Sequence, residues 1–157
     1  MIKKVSIYDM DGTLVSSLAR YKTMIREDGK EVIDLAHWRA NSFKAFDDTL
    51  LPLAEQYQRE LLDKEVYVII ATARVMADED FRFLREKLGF PDYLISRKEN
   101  DTTSGGLLKI RGLQKFFNLK NFQDAEFTFF EDNVQYLKDI CDFFQIKGVY
   151  IPSQQGH

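Results

Sequence analysis

Acidic residues stand at two points where a short apolar run gives way to polar sequence: Asp9-Met10-Asp11-Gly12-Thr13 after Lys3 to Tyr8, and Glu131-Asp132-Asn133 after Phe127 to Phe130. In extended backbone, Asp9 and Asp11 project to one side about 6.6 Å apart. Their like charges repel, so the pair is stable only with a cation, a proton on one acid, or both. Gly12 lets the chain turn sharply straight afterward. Taken alone, the motif also fits an ordinary acidic strand exit built from turn formers. Asn133 is placed to cap a following helix. Thr72-Ala73-Arg74 ends a third apolar run. There a hydroxyl and a free backbone amide could bind a phosphoryl oxygen, and Arg74 could fork onto phosphate, although a surface arginine is equally ordinary. If these runs are parallel strands of one sheet, Asp9, Asp11, Glu131 and Asp132 converge on its carboxyl edge and need a counter-ion. All-oxygen ligation, with no Cys or His in the motifs, selects a hard ion such as Mg²⁺ over zinc. His37 and His157, the only histidines, read as surface or packing residues.

The elements that must position these groups alternate along the chain. Lys3 to Tyr8, Val66 to Ala71, Tyr93 to Ile95, Phe127 to Phe130 and Val149 to Ile151 read as five strands, and their near-continuous apolarity suits a parallel sheet covered on both faces. Helical periodicity joins Leu50, Leu53, Ala54, Tyr57 and Leu61, then Phe81, Leu84 and Leu88, then Val134, Leu137, Cys141 and Phe144. Gly89 and Gly148 read as helix stops. A further helix over Gly106 to Phe117 turns Ile110, Leu113 and Phe117 inward and carries Lys109 near its start. This order implies right-handed crossovers and a three-layer α/β fold. Val15 to Asp48 breaks the rhythm with Tyr21, Trp38, Phe43 and Phe46, and reads as an insert beside the ligand-binding sheet edge. It either covers a site there or forms a surface excursion with its own small cluster.

Composition bounds the function classes. The chain has 157 residues, 45% hydrophobic and 30% charged, which predicts one folded domain over 1–157 with no internal repeat. A net charge of −3 argues against a strongly non-specific nucleic-acid binder. With Cys141 alone no intrachain disulfide forms, and a reducing compartment fits best. No run approaches the ~18 apolar residues of a membrane span, and the N-terminus turns polar too early for a signal region, so the expected location is cytoplasmic, without membrane attachment.

The ordered set resembles the haloacid dehalogenase (HAD) superfamily of phosphohydrolases: Asp-x-Asp-Gly-Thr after strand one, Thr after strand two, Lys at a helix start and an acidic pair after strand four. The resemblance runs from Ile2 to about Ile151 and implies a Rossmann-like HAD fold with a central sheet of about five parallel strands. It implies that Asp9 is the nucleophile that becomes an aspartyl phosphate. Asp11 then protonates the leaving oxygen and later deprotonates water, while its main-chain carbonyl joins Asp9, Asp132 and Glu131 around Mg²⁺. Asp132 is favoured as the direct ligand, with Glu131 ligating through water or orienting its neighbour. Thr72 matches the phosphate-gripping position, with Ala73 and Arg74 beside it. Lys109 matches the cation that neutralises phosphoryl oxygens, and Lys98 competes for that assignment.

Within the superfamily the layout is similar to the phosphatase domain of phage-type polynucleotide kinase-phosphatases, which act on 3′-phosphates. The likeness rests on Arg20 after DGTL, the TAR tripeptide with Arg74, and the polar SRKENDTTSGG stretch before Lys109. Two departures stand out. The family acid four residues before the lysine is Gly105 here, with Asp101 the nearest acid upstream, and no kinase phosphate-binding loop is present, as expected for a free-standing phosphatase domain. The expected substrate is thus a phosphorylated nucleotide or nucleic-acid end, with Arg20 and Arg74 on phosphate. The alternatives are a small phosphometabolite or a non-catalytic HAD-like regulatory module. A two-component receiver domain fits less well, because its phospho-accepting Asp follows strand three. From Ala19 to Phe46, six basic residues face four acidic ones, weak support for a polyanion. Oligomeric state is not legible.

Overall fold

Strand β1 (Lys4–Tyr8) sends Val5 and Ile7 into one apolar cluster and Tyr8 into another. That alternation requires a covered face on each side of the sheet. The computed structural model describes residues 1–18, 20 and 22–153. Tyr21 and His157, named above, lie outside them. After β1 come β2 (Val15–Ser16), β3 (Thr23–Ile25), β4 (Glu31–Ile33), α1 (Leu35–Ala40), a 3-10 segment (Ser42–Asp47) and β5 (Thr49–Leu50). Then follow α2 (Ala54–Leu61), β6 (Val66–Val75), α3 (Asp78–Phe83), β7 (Tyr93–Arg97), α4 (Gly105–Leu113), β8 (Glu126–Glu131), α5 (Val134–Phe144) and β9 (Lys147–Tyr150).

The central sheet has five strands in the order β7-β6-β1-β8-β9, with every pairing parallel. β1 lies in the middle, paired with β6 through Ser6↔Val68 and with β8 through Ser6↔Thr128. On one face α2, α3 and the helical turn that follows α3 (Leu84–Leu88) deliver Tyr57, Phe83 and Leu84 against Tyr8, Val68 and Ile70. On the other, α4 and α5 deliver Leu113 and Ile140 against Val5, Ile7, Ile69 and Phe129. Each such fully buried side chain contributes about 1.5–3 kcal/mol. Among the described residues no helix is long and apolar enough to cross a membrane.

The expected elements are present with corrected ends. The second strand runs on to Val75, so Thr72, Ala73 and Arg74 lie inside β6, in a register shift between Ala71↔Ile95 and Val75↔Arg97. Gly148 does not stop a helix: α5 ends at Gln145 in left-handed backbone (φ 57°), and Gly148 lies within β9. A Cβ there would meet Cys141 Sγ at 2.7 Å, so the missing side chain lets β9 approach α5. Leu50 belongs to β5 rather than a helix, and Val134 on α5 is exposed.

The insert is bracketed by the antiparallel pair β2 and β5 and contains the β3–β4 hairpin. Phe46, in its 3-10 segment, packs on the α2–α3 cluster, and Lys87 Nζ donates to the Phe46 carbonyl at 2.7 Å. The Arg82 guanidinium lies over the Phe46 ring at 3.9 Å. The insert is therefore fastened to the α3 side of the sheet.

Ser6 and Tyr8 are polar groups in a central strand, and both find the same acceptor. Ser6 Oγ donates to Glu60 Oε2 at 3.0 Å, Tyr8 OH donates to Glu60 Oε1, and Lys4 Nζ lies 3.0 Å from Oε2. Buried polar groups are tolerated only when so partnered. Tyr8→Phe should lower unfolding stability by about 1–3 kcal/mol in a denaturant titration, and an unchanged midpoint would show that the α2 bridge contributes nothing.

Candidate active site

Pairing with β8 continues past β1, because the Asp9 amide donates to the Phe130 carbonyl at 2.9 Å. Asp9 keeps the parity of Val5 and Ile7, so its side chain falls on the α4 side. The chain then turns: the amides of Thr13, Leu14 and Val15 all point to the Met10 carbonyl at 3.3, 3.0 and 3.1 Å. Gly12 sits in that turn at φ 81°, and a Cβ on it would lie 2.1 Å from Asp132 Oδ2. Both its backbone and the closeness of the acidic loop demand glycine.

The turn corrects one expectation. Extended geometry ends at Met10, so Asp11 does not stay beside Asp9. The three carboxylates that meet are those of Asp9, Glu131 and Asp132, with an oxygen from each within 4.8 Å of the others. Asp11 instead takes Nε and Nη2 of Arg74 on its two oxygens and accepts from Ser17 Oγ at 2.9 Å.

Lys109 lies in the middle of the acids. Ser104 starts α4 by accepting from the Leu107 amide at 3.4 Å, and the buried face of the helix carries Lys109 inward. Its Nζ donates to Asp9 Oδ1 at 2.8 Å and Glu131 Oε1 at 2.7 Å. Lys98 is exposed on the polar stretch. Gly105 explains the missing family acid: a Cβ would meet the Tyr136 ring at 2.7 Å, so that space is filled. Asp101 closes its own loop by accepting from the Thr103 amide and hydroxyl at 2.9 and 2.6 Å.

Each acid has a different environment. Asp9 Oδ2 accepts from Thr13 Oγ1 at 3.0 Å. Glu131 Oε2 accepts from the Asp132 and Asn133 amides at 3.1 and 3.4 Å. Asp132 Oδ2 accepts from Ser153 Oγ at 2.8 Å. Asn133 caps α5 through the Tyr136 amide at 3.0 Å. Burial works against ionising Asp9, but the Lys109 ammonium and hydrogen bonds within the cluster outweigh it and hold this carboxyl below the usual range. Burial and the Asp9 charge push Glu131 well up and Asp132 to about 7. One ammonium thus faces three carboxylates, and the shortage of positive charge falls on the acidic pair. An all-oxygen set lacking positive charge fits a hard divalent cation.

Thr72 is buried, and its Oγ1 accepts from the Arg74 amide at 3.1 Å. Ala73 is held by Arg97, whose Nε donates to the Ala73 carbonyl at 2.8 Å. Arg97 Nη1 also donates to the carbonyls of Asp101 and Thr103 at 2.7 and 2.6 Å, tying the end of β6 to the stretch before α4.

The arginines expected on phosphate are placed elsewhere. Arg20 and Arg74 are both buried. Arg20 forks onto Asp48 through Nε and Nη2, each at 3.2 Å, under the Trp38 ring at 4.0 Å. Arg74 bonds Asp11, Asp48 and Asp80. Sequence reasoning missed Asp48, Asp80, Arg97 and Ser153, which follow no motif. Thr13 lay inside the quoted motif and was given no role.

A family model described as bacteriophage T5 5'-deoxynucleotidase matches residues 1–129, a span containing Asp9, Asp11, Thr72 and Lys109 and stopping short of Glu131. The 5'-deoxynucleotidase of Escherichia phage T5 is 33% identical over 89 residues, 55% of this chain and 36% of that protein. The chain therefore spans about a third of the length of this curated relative. Among solved structures, a chain of the Pnkp1/Rnl/Hen1 RNA repair complex superposes with a TM-score of 0.68 at 19% identity, over 98% of this chain and 44% of that one. The HAD domain of the effector protein Lem4 from Legionella pneumophila gives 0.61 at 15% identity, over 98% and 88% of the two chains. These likenesses establish the HAD fold expected from the motifs. With the family match covering residues 1–129, the chain belongs to the bacteriophage T5 5'-deoxynucleotidase family.

Proposed function

We propose that this chain is a phosphomonoesterase that removes the 5′-phosphate of a deoxynucleoside monophosphate, with Asp9 as nucleophile. The observation that carries the reading is the state of Asp9: buried, held ionised by Lys109, and fixed at the end of the central strand by Thr13. A carboxylate so held is ready to attack without losing a proton.

In the reaction, an Asp9 oxygen bonds to phosphorus as the ester P–O bond breaks, and the departing nucleoside oxygen takes a proton from Asp11. Water then attacks the phosphorus of the aspartyl phosphate, gives its proton to Asp11, and releases phosphate and free Asp9. The Lys109 ammonium neutralises charge on the non-bridging oxygens, and the Thr72 hydroxyl donates a hydrogen bond to one of them. Mg²⁺ would be held by Asp9, Asp132 and the main-chain carbonyl of Asp11. Bound there, it would neutralise charge on both the acids and the phosphoryl group. Glu131 is engaged by Lys109 and two amides, which suits an orienting role and leaves Asp132 as the better direct ligand.

Two observations favour a mononucleotide over a polynucleotide end. The family is described by a 5'-deoxynucleotidase. Arg20 and Arg74, the groups expected to grip a flanking phosphate, are buried and engaged by carboxylates. In a panel of deoxynucleoside 5′-monophosphates, 3′-phosphorylated oligonucleotides and sugar phosphates, the first class should have the highest kcat/KM. A preference for 3′-phosphorylated oligonucleotides, depressed by salt, would restore the polynucleotide reading. Asp9→Asn should reduce every activity to background, and substantial residual turnover would remove Asp9 from the nucleophile role.

The charge shortage also makes a prediction independent of turnover. A carboxyl whose pKa is raised on folding holds its proton more tightly when folded, so stability falls as pH rises from about 4, its unfolded value, to its folded one. For Asp132 the folded value is about 7. Chelator-treated protein should therefore lose thermal stability from pH 5 to 8, and added Mg²⁺ should raise the midpoint more at pH 8 than at pH 5. A Mg²⁺ effect absent at both pH values would contradict this assignment of the acids.

A further inference from the structure

Five charged side chains from separate parts of the chain form one buried assembly beside the proposed site. Asp11 comes from the turn after β1, Arg20 from the entry to the insert, Asp48 from its exit, Arg74 from β6 and Asp80 from α3. Arg74 is central. It grips Asp11 with Nε at 3.2 Å and with Nη2, bonds Asp80 through Nη1, and reaches Asp48 Oδ2 at 3.1 Å. Arg20 pairs with both Asp48 oxygens and lies 3.6 Å from Asp80 Oδ1. Asp80 is itself fixed at the start of α3, where its Oδ2 accepts from the Ala77 amide at 2.9 Å. The Trp38 ring covers the Arg20 guanidinium.

Exposure within the assembly is uneven. The side chains of Arg20, Arg74, Asp48 and Asp80 are each 1% exposed, whereas that of Asp11 is 25% exposed. Burying so many charges brings little net stability, since desolvation consumes most of the attraction. A buried ionic network with one accessible member fixes the direction of that member instead.

We infer that Asp48 and Asp80 are positioning residues: acting through Arg74, they set the orientation in which Asp11 is presented to the leaving oxygen. Arg20 and Trp38 hold Asp48 in place from the insert. The inference rests on the phosphomonoesterase reading and on Asp11 as its proton donor. Neither Asp48 nor Asp80 touches substrate. Without Asp48, the Arg74 Nη2 group shared between Asp11 and Asp48 is left to Asp11 alone, and the fork on Asp11 shifts. The insert is thus a clamp on the acid more than a cover over the phosphate.

The test compares kcat/KM, which reports the step that forms the aspartyl phosphate, for a deoxynucleoside monophosphate and for p-nitrophenyl phosphate. The first has a poor leaving group that needs a well-placed proton, and the second does not. Asp48→Asn should lower the nucleotide value by about tenfold or more while leaving the aryl value within about threefold. In an Asp11→Asn background the same substitution should add no further loss, because its effect passes through Asp11. Where Asp48→Asn alone fails to fold, the charge-neutral pair Arg20→Gln with Asp48→Asn carries the same comparison. Equal losses on both substrates, or full additivity with Asp11→Asn, would overturn the inference and leave the phosphatase reading intact. No hydrolysis of either substrate by the unaltered chain would overturn both.

Discussion

A single ammonium group between two buried carboxylates organises this end of the molecule. Lys109 Nζ bonds Asp9 and Glu131 at once, from a helix on one face of the sheet to the ends of two adjacent strands. Burial opposes its charge, but Asp9 and Glu131 more than compensate and raise its pKa. The ammonium is about equally close to both, at 2.8 and 2.7 Å, but Asp9 is held as a carboxylate by it together with hydrogen bonds within the cluster, while burial and the Asp9 charge push Glu131 and Asp132 toward protonation. One local imbalance therefore keeps Asp9 ionised within a set of acids whose shortage of positive charge suits a hard cation.

Close packing makes the imbalance possible. Gly12 brings the turn after β1 against Asp132, and Gly105 brings α4 against Tyr136. Either approach would be blocked by a methyl group. On the opposite side of the turn, Asp11 is held by Arg74 within an ionic assembly that reaches into the insert. The two acids of the Asp-x-Asp motif are thereby separated: Asp9 faces Lys109 and Asp11 faces Arg74.

Much of this was legible in the sequence. Near-continuous apolar runs marked the parallel strands because both sheet faces are covered, and Tyr8 and Ser6 fitted β1 only once Glu60 was seen to bond both. Asp9, Glu131, Asp132 and Lys109, which the structure brings together, were legible as candidates because strand ends and a helix start are local features. Asp11 and the two arginines were misplaced for a physical reason. Their positions depend on a turn at Gly12 and on Asp48 and Asp80, which are distant in sequence and belong to no periodic pattern. Gly148 was misread because a glycine that admits a neighbouring helix looks like one that ends a helix.

The central claim is that Asp9 becomes phosphorylated during turnover. The most direct measurement is acid quenching of the enzyme while it hydrolyses a deoxynucleoside monophosphate with Mg²⁺, followed by borohydride reduction and peptide mapping. An acyl phosphate at Asp9 would appear as homoserine at position 9, dependent on substrate. Unmodified Asp9 during turnover, or modification at another carboxyl, would contradict the account.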